Sequence, residues 1–226
     1  MELRDVLQSN SAVREFSDRA VTDATLHEIL DTARFAPSGG NRQPWHVVVI
    51  RDQSARRRLR DLYVLAWREY MAHVNAGLVA FAPTDRGRFA GPAIDLEAAR
   101  ATPSPLPFAD HLDQTPVLLA IVADLDQLAV MDNGLDRQSI VGGASVYPFA
   151  NNILLAACEA GLGGVMTTVL CRQEHEVRPL IGMQDGQALA ALLALGYPAS
   201  PRRRIRRGLV ESFTTIDRLD GPPFVP

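Results

Sequence analysis

The run VLLAIVA (117–123) carries no polar residue at either alternate position. A strand of this kind cannot turn one face to water, so it belongs inside a sheet that is covered on both faces. HVVVI (46–50) is β-branched almost throughout and reads the same way. GVMTTV (164–169) and ALAALLALGY (188–197) supply two more strands. Helical patterns separate them. Leu26, Ile29, Leu30 and Ala33 recur on one helix face, with Thr22 or Asp23 as cap and Pro37 as stop. Leu59, Leu62, Tyr63, Ala66 and Tyr70 mark a second helix. A long helix is expected from about Ser139 to Ala160, kinked or split at Pro148, with Gly161 as its C-terminal glycine. A shorter one is expected near Gln173 to Ile181.

Alternating helices and strands raise the possibility of a doubly wound dinucleotide fold, and the glycines test it. GLGG (161–164) and the Ser-Gly-Gly at 38–40 each follow a helix and lead into a strand. A dinucleotide fingerprint needs the reverse order: strand, glycine turn, helix. The pattern therefore predicts an α+β domain with a central helix packed on a sheet. From Pro83 to Pro116 periodicity is lost, apart from a weak helical hint at Ile94 to Arg100. A stretch this long inside a domain predicts a lid or mobile insert.

Charge and composition remove several function classes. The net charge is -3, so no overall field favours nucleic acid or an anionic membrane. The basic runs RRRLR (56–60) and RRRIRR (202–207) lack interleaved aromatic residues, which argues against a nucleic-acid surface. No apolar run approaches the roughly 18 residues of a membrane span. The opening MELRDVLQSN has no apolar core and predicts no secretory signal, so a cytoplasmic location is expected. Five histidines without metal spacing, two separated cysteines and the lack of a G-x-S-x-G elbow leave no metal site and no hydrolytic nucleophile in view. An enzyme built this way would borrow its reactivity from a cofactor. All 23 basic residues are arginine, so any anion would meet planar, multidentate donors.

Three polar or cationic segments abut core elements: SNSAVREFSDRAV near the N-terminus, APSGGNRQPWHVVV (36–49), and PRRRIRRGL (201–209) directly after ALGYP. On these the chain resembles the nitroreductase family of FMN-dependent oxidoreductases, over nearly its whole length. Asn10 to Phe16 stands where that family has an Arg-Arg-Ser-x-Arg-x-Phe type segment, APSGGNRQPW fits a Pro-Ser-x-x-Asn-x-Gln-Pro-Trp motif, and NNILLAACEAGLGGVMTT fits the central helix and the strand after it. The resemblance implies a single nitroreductase-like domain over 1–226. Its mixed or antiparallel sheet would be surrounded by helices in an intertwined homodimer. Residues 83–116 would form a variable lid, and a tail from about 209 to 226 would cross to the partner subunit. It implies that FMN sits at the subunit interface. Ser11, Ala12 and Arg14 would line it, Arg14 near the N1–O2 edge. Pro37, Ser38, Gly39 and Asn41 would face the isoalloxazine edge, Met166, Thr167 and Thr168 would pack on the ring and tune N5, and Arg204 and Arg206 would bind the phosphate.

Two positions depart from the pattern: Asn10 stands for a common basic residue and Ala12 for the motif serine. That removes a cation and a hydroxyl from the expected phosphate and ring contacts. Arg202, Arg203 and Arg207 are candidates to compensate. The implied activity is a ping-pong transfer from NADH or NADPH through FMN to a small acceptor such as a nitroaromatic, quinone or enone, with no catalytic side chain assigned. A flavin-dependent oxidase or dehydrogenase of the same fold and a non-catalytic flavin binder are the alternatives.

Overall fold

In the computed structural model, which describes residues 1–82, 85–102 and 107–226, the Val117–Ala123 run lies inside a sheet. Four strands, β1 (Trp45–Val49), β2 (Val117–Asp124), β3 (Gly163–Thr167) and β4 (Gln187–Gly196), stand in the order β1-β2-β4-β3, and every pairing is antiparallel. Along the inner strands successive side chains enter opposite layers. Leu119, Ile121, Leu193 and Leu195 pack with α2 (Asp23–Ala33) and α6 (Tyr147–Glu159). Leu118, Ala120, Leu192 and Ala194 pack with Leu59, Leu62 and Tyr63 of α3 (Gln53–Asn75). Both faces are covered, which is why Val117–Ala123 has no polar position. Each fully buried Leu or Ile contributes about 1.5–3 kcal/mol of transfer free energy.

Several expectations meet their local reasons. Thr22 caps α2, its side chain accepting from the Thr25 N–H at 3.1 Å. Gly161 has φ 83 and ends α6 in a Schellman turn, with Leu162 N donating to Ala157 O at 2.8 Å and Gly161 N to Cys158 O at 3.2 Å.

Others are corrected. β1 is not buried on both faces: it is an edge strand, His46 is exposed and its neighbours are half-covered. Its β-branched run reports strand propensity, which edge and inner strands share. The long helix does not begin near Ser139, nor does Pro148 kink it. A 3-10 turn at Val141–Ser145 precedes α6, and Pro148 lies in the first turn of α6, where no N–H is needed. β3 ends at Thr167, and Thr168 and Val169 open the next turn. A helix that the periodicity did not reveal, α1 (Leu3–Ser9), packs on α6 through Val6.

Within Pro83–Pro116, residues 83–84 and 103–106 lie outside the described residues. The second half of this segment is structured. α4 (Leu96–Ala101) is capped by Asp95, and α5 (Pro107–Asp110) and a 3-10 turn at Leu112–Gln114 follow; Ala99, Ala109 and Leu112 are buried, and these elements pack against α3. α4 falls on the weak helical hint at Ile94 to Arg100; each of these pieces is shorter than two helical turns, too short for a clear period. The buried Arg56 fastens them to the sheet layer, donating to Asp113 O at 2.9 Å, Ile50 O at 3.0 Å and Thr115 O. α7 (Glu174–Ile181) completes this layer. No described helix is long and apolar enough to cross a membrane.

Candidate cofactor-binding site

Segments from both ends of the chain meet at the free edge of β3. Val13 N donates to Gly164 O at 2.9 Å, and Ala12 forms a parallel bridge with Gly164. Ser17 N donates to Tyr197 O at 2.8 Å and Ala199 N to Glu15 O at 3.1 Å. The tail then runs beside α1, where Ile205 N donates to Gln8 O at 2.8 Å. The paired glycines of GLGG are explained by this packing. A Cβ on Gly163 would stand 2.5 Å from Val13 Cγ2, and one on Gly164 would stand 2.7 Å from Ala194 O. A side chain at either position would push the N-terminal segment, or the strand itself, out of place.

The arginine run after ALGYP divides by role. Arg202 is half-buried and donates from Nη1 to Cys158 O at 2.7 Å and Leu162 O at 2.8 Å, closing the C-terminus of α6. Arg204 reaches Asp5 of α1 at 3.2 Å, both exposed. Arg206 is exposed and has no carboxylate within ion-pair distance among the described residues. The same holds for Arg14. The Arg14 charge is felt by Tyr63, whose phenol is pushed up by burial while the Thr167 hydrogen bond and Arg14 pull it down.

On β3 the alternation divides the expected residues. Thr167 is buried with its Oγ1 3.3 Å from Tyr63 Oη, and it accepts from Val169 N at 3.3 Å, so it faces the α3 layer. Met166 packs on the opposite layer, and Thr168 is exposed. Gly164 O points off the sheet edge toward Val13; by the strand period the N–H and C=O of Met166 point off the same edge. Ser11 is half-buried and Ala12 exposed.

The 37–41 loop is held elsewhere. Ser38 Oγ accepts from Gln43 N at 2.9 Å, and Gly39 N donates to Ser145 Oγ at 3.0 Å, just before α6 begins. Gly40, Asn41 and Gln43 all have positive φ, at 61, 54 and 52. Glycine and asparagine tolerate that region; Gln43 is retained there by its bond to Ser38. Pro37 and Asn41 are exposed. The loop enters β1, which pairs at the Ala123 and Ala188 end of the sheet, whereas Gly164 pairs with Leu195. The two parts of the expected site are therefore roughly 23 Å apart along β4, at about 3.3 Å per residue. Within one chain 11–14 lies along β3, which leads to 166–168, and 204–206 lies beside α1, which leads into 11–14. The same chain does not bring 37–41 to them.

The roles of two residues in this neighbourhood differ from the sequence reading, Arg202 being engaged at the end of α6 and not left free as a compensating phosphate cation. Tyr63 looked like an ordinary core position of α3. Arg202 looked equivalent to the arginines beside it; its only available signal was the lack of a basic residue in the last turn of α6.

The match to known proteins places the fold and the family. The family model described as the nitroreductase family matches residues 8–197. A curated relative, the NADH dehydrogenase of Thermus thermophilus, is 29 % identical over 197 residues, covering 83 % of this chain and 82 % of its own. A BluB-like flavoprotein from Clostridium difficile 630 superposes with TM-score 0.66 at 21 % identity, covering 96 % of this chain and 100 % of that one. The NADPH:FMN oxidoreductase from Vibrio harveyi, solved with NAD+, gives TM-score 0.64 at 17 % identity, covering 96 % and 78 %. This chain belongs to the nitroreductase family, oxidoreductases that work with FMN and NAD(P)H. The donor set here fits such a cofactor. Among the described residues Arg14 and Arg206 are exposed cations with no carboxylate in ion-pair distance, suited to the ring edge and phosphate of an anionic flavin, and the outward N–H of Met166 lies two residues along β3 from the Val13 contact.

Proposed function

We propose that the chain binds FMN against the free edge of β3 and works as an NAD(P)H-dependent reductase of small organic acceptors in a ping-pong cycle. The observation that supports this reading best is the meeting of the 11–14 segment, β3 and the basic tail at one edge, carried by the Val13–Gly164 and Ile205–Gln8 hydrogen bonds. Held there, FMN would supply the hydride-transfer chemistry that links reduced nicotinamide to the acceptor. Arg14 supplies positive charge beside the ring, where it favours the reduced anionic cofactor. Met166 offers a backbone N–H and packs its side chain below. Arg206, with Arg204, holds the phosphate. Thr168 borders the ring, while Thr167 acts through Tyr63 by fixing the strand end. The cell's cytoplasm is the location this reading assigns.

The separation of the 37–41 loop from Arg14 favours a second copy of the chain as its source, so that Pro37, Ser38 and Asn41 of one subunit complete the site of the other. Gly39, whose N–H is engaged by Ser145, sets the loop rather than donating. Leu209, Phe213 and Leu219 of the tail are 76 %, 71 % and 100 % exposed, a large apolar cost that a partner surface removes.

The test is spectroscopic. The purified protein should be yellow, bleach anaerobically with NADH or NADPH, and recover its colour on addition of a quinone or nitroaromatic. A yellow protein that neither reductant bleaches would reject the reductase reading and leave a flavin binder.

A further inference from the structure

A cavity of ≈ 600 Å³ opens beside the 3-10 turn Val169–Gln173, walled by Phe81, Phe89, Arg88, Arg137 and Arg172 among others. Arg172 follows Thr168 by one short turn, roughly 8 Å at about 2 Å rise per residue. The cavity therefore adjoins the strand end of the candidate cofactor site. Its aromatic wall is Phe81, 6.3 Å from the half-exposed Phe89. The Arg172 guanidinium lies 4.3 Å above the Phe81 ring.

The charges in this wall do not cancel. Glu69 is fully buried and faces two guanidinium groups, Arg100 and, 3.5 Å from its Oε2, the Nε of Arg172. One carboxylate against two cations leaves one positive charge over. Among the described residues Arg172 makes no hydrogen bond, so its outward fork is available in the cavity. Arg137 is occupied by Asp132 at 2.6 Å, and Arg88 by Asp136 at the exposed rim. A fork-shaped donor stacked on one phenyl ring, with a second phenyl ring tilted beside it on the same wall, matches a planar ring that carries a carboxylate.

We infer that this cavity binds a small aromatic carboxylate, with its anionic group on Arg172 and its ring against Phe81 and Phe89. As the acceptor subsite, this rests on the flavin reading given above. The ring would then stand next to the cofactor, and aromatic acids would be preferred over their neutral esters.

The experiment compares kcat/KM for 4-nitrobenzoate and its methyl ester in the purified holoenzyme, in Arg172→Gln and in Arg88→Gln. Circular dichroism reports whether each variant is folded. Arg88 is at the solvent rim, so its replacement keeps the test open if Arg172→Gln misfolds around Glu69. The ester is intrinsically the easier to reduce, so an acid-to-ester ratio above one already requires recognition of the charge. The ratio should fall about tenfold in Arg172→Gln, the value of one charge-assisted hydrogen bond, and only about twofold in Arg88→Gln, whose exposed guanidinium is shared with Asp136. A ratio at or below one that neither substitution moves would overturn the assignment. So would a change in NADPH over NADH preference with the acid-to-ester ratio unmoved, which would give the cavity to the electron donor. Should the protein carry no flavin and turn over neither compound, the flavin reading fails separately. Calorimetric titration of 4-nitrobenzoate then decides: binding that weakens in the arginine variants supports the cavity, and no binding to the parent protein rejects it.

Discussion

Arg202 closes the last turn of α6 from 44 residues away, its Nη1 donating to Cys158 O at 2.7 Å. The same nitrogen lies 2.8 Å from Leu162 O, past the Schellman turn. This one side chain therefore joins the central helix, the start of β3 and the basic tail. Arg202→Ala removes the charged donor from two carbonyls, Cys158 O keeping only backbone N–H donors, and a hydrogen bond to a charged group contributes about 1.5–3 kcal/mol. A loss of about 2–3 kcal/mol is expected, or roughly 5–10 °C in Tm for a chain of this size. Thermal unfolding of the flavin-free protein checks it, with Arg203→Ala as a neutral comparison.

Phosphate retention should depend unequally on Arg204 and Arg206. Arg204 is shared with Asp5 across a solvent-exposed 3.2 Å contact, whereas Arg206 has no such competitor among the described residues. Removing Arg206 should weaken FMN more than removing Arg204, and the double Ala variant should lose FMN during purification. Asp5→Asn should do the opposite, releasing Arg204 and tightening FMN up to about fivefold, the upper worth of an exposed ion pair. Flavin fluorescence titration measures all four. Full occupancy in the double variant would refute the proposed phosphate site.

The Asp132 carboxyl anchors the segment that leads into the Ser145 contact with the 37–41 loop. The Ile140 N–H, then the Ser139 hydroxyl and Arg137, hold it well below the usual carboxylate range. A depressed value means that the stabilisation is complete above the ordinary aspartate pKa of about 3.9 and is lost as pH falls through the lower folded value. The stability difference between the parent protein and Asp132→Asn should therefore be flat from about pH 7 to pH 5 and shrink below about pH 4. Urea midpoints across that range give the curve. A difference that grows in acid would contradict this arrangement.

Proteolysis should distinguish the two halves of the variable segment. Residues 85–93 contain no helix or strand and are almost wholly exposed, while α4 and α5 bury Ala99 and Ala109 against α3. Limited trypsin treatment should cut first after Arg86 or Arg88 and spare Arg100, and an aromatic acid in the adjoining cavity should slow the cuts. Earlier cleavage at Arg100 would show that the second half is no better anchored.

Dimer loss and flavin loss should coincide if the loop at 37–41 completes a partner's site. Sedimentation at decreasing concentration, followed at protein and flavin bands, reads both. A monomer that keeps full FMN would refute the shared site.

The amino-acid sequence alone determined the inner strands, the cap of α2, the glycine end of α6 and the segments from which the candidate site is drawn. These follow from local rules: a period of two with no polar face, a hydroxyl before a helix, a glycine where φ must be positive. It did not distinguish β1 as an edge, because propensity is the same whichever neighbour a strand has. It held only a weak hint of α4, at Ile94 to Arg100, and none of α5, because both are shorter than the two turns that make a period readable. Only the tertiary structure divided the arginines, since Arg202, Arg204 and Arg206 have one chemistry and differ in what stands across from them. Only it separated Arg14 from the 37–41 loop by the length of the sheet, because distance between chain-distant segments is decided by packing and pairing order, and neither is written in any local stretch.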